Sequence, residues 1–452
     1  MFGVRAPKRD VARLTYFGLY ALQHRGQESA GIAVSEKGRL TALRDLGLVP
    51  QVFNEQRLSG LPGDVAIGHT RYSTTGANAW ANAQPLLHHG RARTVAVGHN
   101  GNLVNAEELR GEIGKLASTS DSEVIAALIA DDERPLPEAI SGAMTRIEGA
   151  ATVVGLAEGT LFAFRDRHGF RPLILGRLGD DAVVASESCA LDLVGAEPVR
   201  EVRPGELVLV GDDGAVETVQ AVEPAERGSL CIFEFFYLAR PDTRLAGVEV
   251  HAARVRMGER LAAEAPVEAD LVLPIPDSGT PAAIGFARAT GIPFSEGLIK
   301  NRYVGRTFIQ PEQGMREQGI RMKFNPLAEV EGQRLVVVDD SIVRGSTTRQ
   351  IVSMLFDAGA AEVHVRVSSP PVVSPCFYGI DLASESEMIA AHATVDEVRT
   401  AIGATSLAYL SLDGLQASTR RPESALCRAC LTGEYPTRMP VSAEKHRFER
   451  TR

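Results

Sequence analysis

The sequence predicts an α+β layered unit followed by an α/β unit with a parallel sheet. Up to about residue 220, short β-rich runs recur with turn residues between them, which is typical of antiparallel sheet. From about residue 230 to 390 the pattern changes to strand, helix, strand, which indicates a parallel sheet. The 452 residues suffice for about three folding units. We expect domains at 1–225 and 226–400, then a C-terminal helical segment and tail at 401–452.

The first unit opens with a predicted helix over 10–23. The dipeptide at 158–159, Glu-Gly, stands between two β-rich runs, and this spacing favours a hairpin. Helical segments near 105–117, 121–131 and 136–147 would cover the sheet and give a layered architecture. The predicted strands are Ser29–Val34, Asp64–Gly68, Thr94–Gly98, Ala151–Val154, Thr160–Phe164, Asp181–Ala185 and Glu206–Val210.

The second unit alternates strands with helices. Strand Asp270–Ile275 precedes a helix through Ala289, and strand Arg334–Val338 precedes a helix through Ala358. A further strand, Glu362–Val367, follows. In such sheets ligands bind at the carboxyl ends of the strands, so the loops there are the candidates for chemistry.

Composition and charge exclude several classes of partner. The chain has 48 basic and 57 acidic residues and a net charge of -9, so we expect no nucleic-acid ligand. No apolar run approaches the roughly 18 residues of a membrane span, and the first ten residues lack the apolar stretch of a signal peptide. We expect a cytoplasmic protein that does not associate with membranes.

The segment Val336–Thr347 carries the sharpest chemical signal. An apolar strand ends in Asp339 and Asp340 and passes through a small-residue loop into a helix. Paired carboxylates there can hold ribose hydroxyls directly or through a divalent cation. Residues 344–347 supply backbone N–H and hydroxyl donors for a phosphate where the helix begins. For the two acids alone, the alternative is that they merely cap the helix.

Two other segments suit an anionic substrate. Asp277 and Ser278 follow the preceding strand, in a Pro-Asp-Ser-Gly string that by itself is typical of an ordinary turn. The cationic stretch from Lys300 to Lys323 has the composition of a solvated loop. It also has the composition of a lid that closes over an anion and excludes water.

The string Val336–Thr347 resembles the phosphoribosyl diphosphate (PRPP) motif of type I phosphoribosyltransferases. The resemblance implies that Asp339 and Asp340 hold the ribose and Mg²⁺, with Ser278 as a further Mg²⁺ ligand. The other residues that it assigns to PRPP are Asp277, Ser341, Arg344, Gly345, Ser346 and Thr347, and those of the lid are Lys300, Tyr303, Arg306 and Lys323.

Four strings in the first half resemble the N-terminal-nucleophile glutamine amidotransferases, namely Gln23–Gly31, Gly68–Ser73, Gly98–Leu103 and Thr119–Glu123. With the PRPP motif and the string Glu296–Ile309, the chain is similar over nearly its whole length to the amidophosphoribosyltransferase family. The resemblance implies an N-terminal-nucleophile hydrolase-like sandwich followed by a type I phosphoribosyltransferase domain. It also implies that Arg71 and Asp121 grip the two charged ends of glutamine and that Asn100 and Gly101 form the oxyanion hole.

The chain departs from this family at its start. Family members begin Cys-Gly-Val-Phe-Gly, with the cysteine thiol as nucleophile and its own α-amine as base. Here Phe2 and Gly3 align with the end of that string, so the nucleophile has no position. Two explanations stand: a start codon placed a few residues late, or a chain that uses free ammonia. We favour the first, because the glutamine-gripping residues are present.

Five cysteines lie at positions 189, 231, 376, 427 and 430. Cys427 and Cys430 form a C-x-x-C pair, and spacing alone leaves zinc and iron–sulfur open. Resemblance to one branch of the family implies a [4Fe-4S] cluster held by Cys231, Cys376, Cys427 and Cys430. Cys189 is expected to pack as a small apolar residue.

The resemblance implies a transferase that forms 5-phosphoribosylamine, diphosphate and glutamate from PRPP, glutamine and water, in the first step of purine (IMP) synthesis. It implies an internal channel between two sites, feedback by purine nucleotides and a homo-oligomer. One rival is a PRPP-binding regulatory protein without turnover, against which the predicted lid argues. Another is transfer of the phosphoribosyl group to a purine base, which would leave the glutamine-pocket strings unexplained.

Overall fold

The first unit is built from two antiparallel sheets. The computed structural model describes residues 1–73, 76, 78–301, 322–382 and 384–439. One sheet contains β1 (Phe2–Arg5), β2 (Ser29–Glu36), β3 (Arg39–Leu46), β4 (Val65–Arg71), β9 (Ile174–Leu178), β10 (Asp181–Ala185) and β11 (Glu197–Glu201). The other contains β5 (Leu86–His89), β6 (Thr94–Leu103), β7 (Gly149–Ala157), β8 (Thr160–Arg165), β12 (Glu206–Val210) and β13 (Val216–Gln220). Their strand orders are β11-β9-β10-β1-β4-β2-β3 and β13-β12-β8-β7-β6-β5.

The two sheets pack face to face, with helices outside them. Ile67 of β4 and Val184 of β10 share one buried cluster with Val154 of β7. Separate clusters pack helices against the outer face of each sheet. The helices are α1 (Val11–Ala21), α2 (Val49–Val52), α3 (Glu55–Ser59), α4 (Ala106–Ile113), α5 (Ser122–Ala130), α6 (Leu136–Arg146) and α7 (Ser188–Val194). This is the layered α+β architecture that the sequence predicts.

Local sequence explains where these elements begin and turn. The side chain of Asp10 caps α1 by accepting a hydrogen bond from the backbone N–H of Arg13 at 2.9 Å. Glu158 and Gly159 join β7 to β8 with φ values of 52° and 79°, the positive φ pair that a tight type I′ hairpin requires. The predicted hairpin therefore forms at that position.

The second unit contains a parallel sheet in the order β17-β20-β21-β22, covered by helices on both faces. Val336 and Val338 of the central strand pack with Phe286 on one side. Leu335 and Val337 pack on the other, as alternation along a strand requires. The elements are β17 (Leu271–Pro274), β20 (Arg334–Asp339), β21 (Glu362–Val367), β22 (Ser406–Tyr409), α8 (Val250–Glu264), α9 (Thr280–Thr290), α10 (Ser346–Asp357), α11 (Ile389–His392) and α12 (Val395–Ile402).

Short elements connect and finish the chain. These are β14 (Leu230–Cys231), a π-helical turn (Glu234–Leu238), β15 (Arg244–Leu245), β16 (Val248–Glu249), β18 (Leu298–Lys300), β19 (Phe324–Pro326), α13 (Leu412–Thr419), β23 (Leu426–Cys427) and α14 (Ala429–Thr432). β23 pairs in parallel with β14, which ties the C-terminal segment to the start of the second unit. β22 lies beyond residue 400 and still pairs with β21. The predicted domain boundaries stay predictions, and the sheet itself continues past 400.

No helix in the part of the chain that the structure describes is both long and apolar enough to cross a bilayer.

Replacing Phe286 by alanine is expected to destabilise the second unit by about 3–5 kcal/mol. Its ring is fully buried between α9 and the sheet, so truncation leaves a cavity. Urea unfolding followed by circular dichroism measures the effect. Phe294→Ala in the same unit, where the ring is 38% exposed, is the control and is expected to cost about 1 kcal/mol. Equal losses for both variants would contradict the assigned core.

Candidate active site

A cavity of about 450 Å³ lies between the two units and receives side chains from both. Its wall in the first unit includes Arg71, Asn100, Gly101 and Asp121. In the second unit the wall includes the end of β20 and the residues that follow it, namely Asp339, Asp340, Ser341, Ile342, Val343, Arg344, Gly345, Ser346, Thr347 and Thr348. The structure therefore brings residues predicted for two different sites into one continuous space.

Opposite charges line the first-unit end of the cavity. Arg71 is the last residue of β4 and is buried, with its Nη1 3.6 Å from Oε2 of Glu28. Asp121 directly precedes α5, and its Oδ2 accepts a hydrogen bond from the backbone N–H of Leu103 at 2.9 Å. A buried cation and a buried carboxylate facing one space suit a zwitterionic α-amino acid.

Asn100 and Gly101 lie near the end of β6 and line the same space. Gly101 has a φ of +152°, and a Cβ there would stand 2.0 Å from the carbonyl oxygen of Ala150. The close approach of β7 thus requires glycine. An amide side chain and a backbone N–H in this position are the donors that an oxyanion needs.

The acid pair lies at the carboxyl end of the central strand. Asp339 is 7% exposed and Asp340 is 4% exposed. Burial, followed by the charge of Asp340, raises the pKa of Asp339 well above its ordinary value. Burial also raises the pKa of Asp340, which hydrogen bonds from Ser278 and Ser341 partly oppose. These carboxylates therefore favour a nearby cation or donor.

The loop after the acid pair leads directly into α10. Gly345 precedes the helix with a φ of +73°, and Ser346 begins it, so backbone N–H groups of the first turn face the cavity end of the sheet. Arg344 is exposed and pairs with Glu387, Nε to Oε1 at 3.1 Å. The loop has the donors that a phosphate monoester requires.

The second predicted loop meets the acid pair from the neighbouring strand. Ser278 hydrogen-bonds the side chain of Asp340. Nζ of Lys300 lies 2.5 Å from Oδ2 of Asp277, so the described part of the predicted lid already contacts this loop. The cavity wall includes Ile275 but neither Asp277 nor Ser278.

The predicted lid is only partly described. Lys323 accepts a hydrogen bond at its backbone carbonyl from the N–H of Asn301 at 2.7 Å, where β18 and β19 form the base of the segment. Tyr303 and Arg306 lie outside the described residues.

Comparisons with known proteins match this two-part organisation. Residues 69–193 match a model of the glutamine amidotransferase domain, and residues 249–369 match one of the phosphoribosyl transferase domain. The amidophosphoribosyltransferase of Mycobacterium tuberculosis (strain ATCC 25618 / H37Rv) is 54% identical, covering 97% of this chain and 86% of that protein. That of Bacillus subtilis (strain 168) is 46% identical, covering 95% and 92%.

This chain belongs to the amidophosphoribosyltransferase family.

Solved structures confirm the predicted fold class. A structure described as the allosteric regulatory enzyme of purine biosynthesis has a TM-score of 0.92 and 45% identity, covering 98% of this chain and 97% of that one. The glutamine PRPP amidotransferase of B. subtilis, in complex with ADP and GMP, has a TM-score of 0.90 and 46% identity, with 97% of each chain covered. The amidophosphoribosyltransferase fold thus accounts for nearly the whole chain.

The four cysteines predicted as cluster ligands lie in one neighbourhood of this fold. Cys231 and Cys427 stand opposite each other where β14 pairs with β23. Burial raises the pKa of the Cys430 thiol well above its ordinary value, and the nearby sulfurs of Cys231, Cys376 and Cys427 raise it further. Among the described residues, however, no group of three or more His, Cys, Asp or Glu side chains is spaced to hold a metal ion.

Sequence reasoning missed a buried ion network between the two units. The Glu234 carboxylate, at the start of the π-helical turn, accepts from Nη2 of Arg25 at 2.6 Å and from Nη1 of Arg171 at 3.2 Å. Arg25 also pairs with Glu187, whose Oε1 lies 2.6 Å from Nε2 of His24. The sequence did contain a signal for this network. Glu234 is a carboxylate among the apolar and aromatic residues of 231–236, where a side chain is expected to be buried, and a buried charge needs a partner.

Sequence reasoning also missed Arg254 of α8. This buried guanidinium donates to the carbonyl oxygens of Phe235 and Ala239, each at 2.8 Å, at the two ends of the π-helical turn. Its charge also lowers the pKa of Asp340, against the larger effect of burial. Arg254 thus links the wall of the cavity to the acid pair.

Proposed function

We propose that this chain forms 5-phosphoribosylamine from PRPP, with glutamine or ammonia as the nitrogen source, in the first step of purine nucleotide synthesis. Family membership supports the reaction, and one observation carries its assignment to residues: the four predicted glutamine-site residues and the predicted PRPP residues from Asp339 to Thr347 line a single cavity. Two balanced steps make up the reaction. Glutamine and water give glutamate and ammonia, and then ammonia and PRPP give 5-phosphoribosylamine, diphosphate and a proton.

The first-unit end would bind and hydrolyse glutamine. Arg71 would pair with the α-carboxylate of glutamine and Asp121 with its ammonium group. The side chain of Asn100 and the N–H of Gly101 would stabilise the negative oxygen that forms when a thiol adds to the amide carbon. The released ammonia would reach the other end through the shared cavity, without crossing bulk solvent.

The second-unit end would bind PRPP. Asp339 and Asp340 would accept hydrogen bonds from the ribose hydroxyls, and Ser341 and residues 344–347 would hold the 5-phosphate at the start of α10. Asp277 and Ser278 would face the diphosphate. Ammonia would attack the anomeric carbon as the bond to diphosphate breaks, with inversion at that carbon and loss of one proton.

Mg²⁺ fits this end in kind, because two buried carboxylates, one of them hydrogen-bonded to the Ser278 hydroxyl, offer the oxygen ligands that the ion prefers. Asp339, Asp340 and Ser278 would hold it together with oxygens of PRPP. The ion would supply positive charge to the departing diphosphate. Lys300, Lys323 and the lid residues Tyr303 and Arg306 would cover the site and exclude water.

Purine nucleotides are proposed as feedback inhibitors. The B. subtilis relative was solved in complex with ADP and GMP, and a site that binds a ribose 5-phosphate has groups that a nucleotide can also use. A homo-oligomer remains a prediction.

Neutralising the acid pair tests the proposed reaction. With PRPP, ammonium chloride and Mg²⁺, the chain is expected to release diphosphate, and Asp339→Asn with Asp340→Asn is expected to lower the rate roughly 100-fold because the ribose contacts are lost. Asp413→Asn, an exposed acid on α13, is the control. Unchanged turnover in the double variant would remove the acid pair from the site. PRPP binding without consumption by the parent chain would favour the regulatory rival instead.

The proposed glutamine hydrolysis uses a thiol nucleophile, and among the described residues no cysteine lines the cavity. Met1 lines the cavity, and its amine donates to Oγ of Ser186 at 3.0 Å. Adding Cys-Gly ahead of Met1 is expected to confer glutamine-dependent amine formation. A chain extended by Ser-Gly is the matched control and is expected to use ammonia only. Equal glutamine use by the Cys-Gly and Ser-Gly chains would refute the proposed role of the thiol.

We further propose that Cys231, Cys376, Cys427 and Cys430 hold a [4Fe-4S] cluster. Four thiols in one neighbourhood are the donor set that such a cluster takes. After anaerobic purification, iron and acid-labile sulfide are expected at about four each per chain. Cys427→Ser is expected to lose most of both, whereas Cys189→Ser, whose sulfur packs apart from this group near Glu187, is expected to keep them. Metal-free protein after anaerobic reconstitution would refute the cluster.

A further inference from the structure

Residues 376–382 of the second unit cross to the first unit and press against the strand that carries the proposed oxyanion hole. We call this segment the strap. The backbone carbonyl of Phe377 accepts a hydrogen bond from Nδ2 of Asn102 at 2.9 Å. The next contact is backbone against backbone: a Cβ at Gly379 would stand 2.8 Å from both the carbonyl carbon and the carbonyl oxygen of Gly101.

The strap is firmly anchored on the first unit. The ring of Tyr378 stacks on Phe170 with centroids 4.2 Å apart and planes 18° apart. Its carbonyl oxygen accepts from Nη2 of Arg171 at 3.0 Å, and Arg171 is itself held by Glu234. The two residues before Gly379 are therefore both anchored on the first unit, which holds Gly379 against Gly101 as a rigid neighbour.

Gly101 is confined by Gly379 and β7. A Cβ at Gly101 would meet the carbonyl oxygen of Ala150 at 2.0 Å, and a Cβ at Gly379 would stand within 2.9 Å of the Cα, carbonyl carbon and carbonyl oxygen of Gly101. The N–H of Gly101 can stabilise an oxyanion only when it is aimed within a few tenths of an ångström of the developing charge. The confinement fixes that aim.

We propose that Gly379 is a positioning residue for amide hydrolysis, acting through the backbone of Gly101, and that the Asn102–Phe377 hydrogen bond serves the same purpose. The inference rests on the proposed glutaminase function of the first unit. It assigns part of the oxyanion hole's precision to the second unit, so the glutamine end is complete only when the strap is docked.

The test uses Gly379→Ala in the chain extended by Cys-Gly. Displacement of the Gly101 N–H is expected to lower kcat for glutamine hydrolysis roughly tenfold or more, while KM for glutamine changes less than about threefold. The ratio of glutamine-dependent to ammonia-dependent amine formation should fall by the same factor. In the chain without the extension, hydrogen–deuterium exchange of residues 98–103 should become faster.

Gly403→Ala is the matched control. Gly403 also lies in the second half and has a φ of +74°, but a Cβ there would meet nothing within 4 Å. Gly403→Ala therefore places an alanine at a positive φ, as Gly379→Ala does, but without a clash against a neighbouring backbone. Asn102→Ala is the second test variant, because it removes the hydrogen bond to the strap without adding bulk. It is also expected to lower kcat, and it keeps the test possible if Gly379→Ala does not fold.

The outcomes are distinguishable. If Gly379→Ala and Asn102→Ala match Gly403→Ala in kcat, the positioning role is wrong while the proposed function stands. If KM rises as much as kcat falls, the strap only shapes the glutamine pocket, and the inference is again overturned. If the extended parent chain does not hydrolyse glutamine at all, the proposed function fails and this inference fails with it.

Discussion

The carboxylate of Glu234 holds the two units of this chain in a fixed arrangement. It accepts from Arg25 and Arg171, both in the first unit, while its own backbone begins the π-helical turn of the second. Removing one partner from a buried ion pair leaves an uncompensated charge and costs about 3–5 kcal/mol. Interfaces between domains usually permit relative motion, and this buried network opposes it.

The shape of the cavity between the two units follows from that fixed arrangement. Arg25 forms part of the wall, as do Phe233, Tyr237 and Leu238, in or next to the turn that Glu234 begins. Arg254 holds both ends of the same turn through the carbonyls of Phe235 and Ala239. A single buried network thus determines where this wall lies relative to both Arg71 and Asp121 in the first unit and the acid pair in the second.

Sequence patterns predicted the fold class and the family because these depend on local periodicity and on contiguous strings. The strand-to-helix string 336–347 and the hairpin at 158–159 are local, and both have the predicted form. β22 was missed because Ser406–Tyr409 is a short strand whose residues are only half-buried, with little apolar signal. The contact of Gly379 with Gly101 could not be predicted. A glycine in the sequence is compatible with a close backbone approach, but it does not say which residue approaches it.

The buried acid pair limits the kind of ligand that the second-unit end of the cavity would bind. Burial raises the pKa of both Asp339 and Asp340, and the charge of Asp340 raises the pKa of Asp339 further. Donors from Ser278, Ser341 and the more distant Arg254 offset only part of the cost of ionising Asp340. In the proposed reaction, the hydroxyl donors of PRPP and a divalent cation would together offset these costs, whereas a purely anionic ligand would offset neither. On this proposal the pair would favour a cation-bound sugar over a bare phosphate.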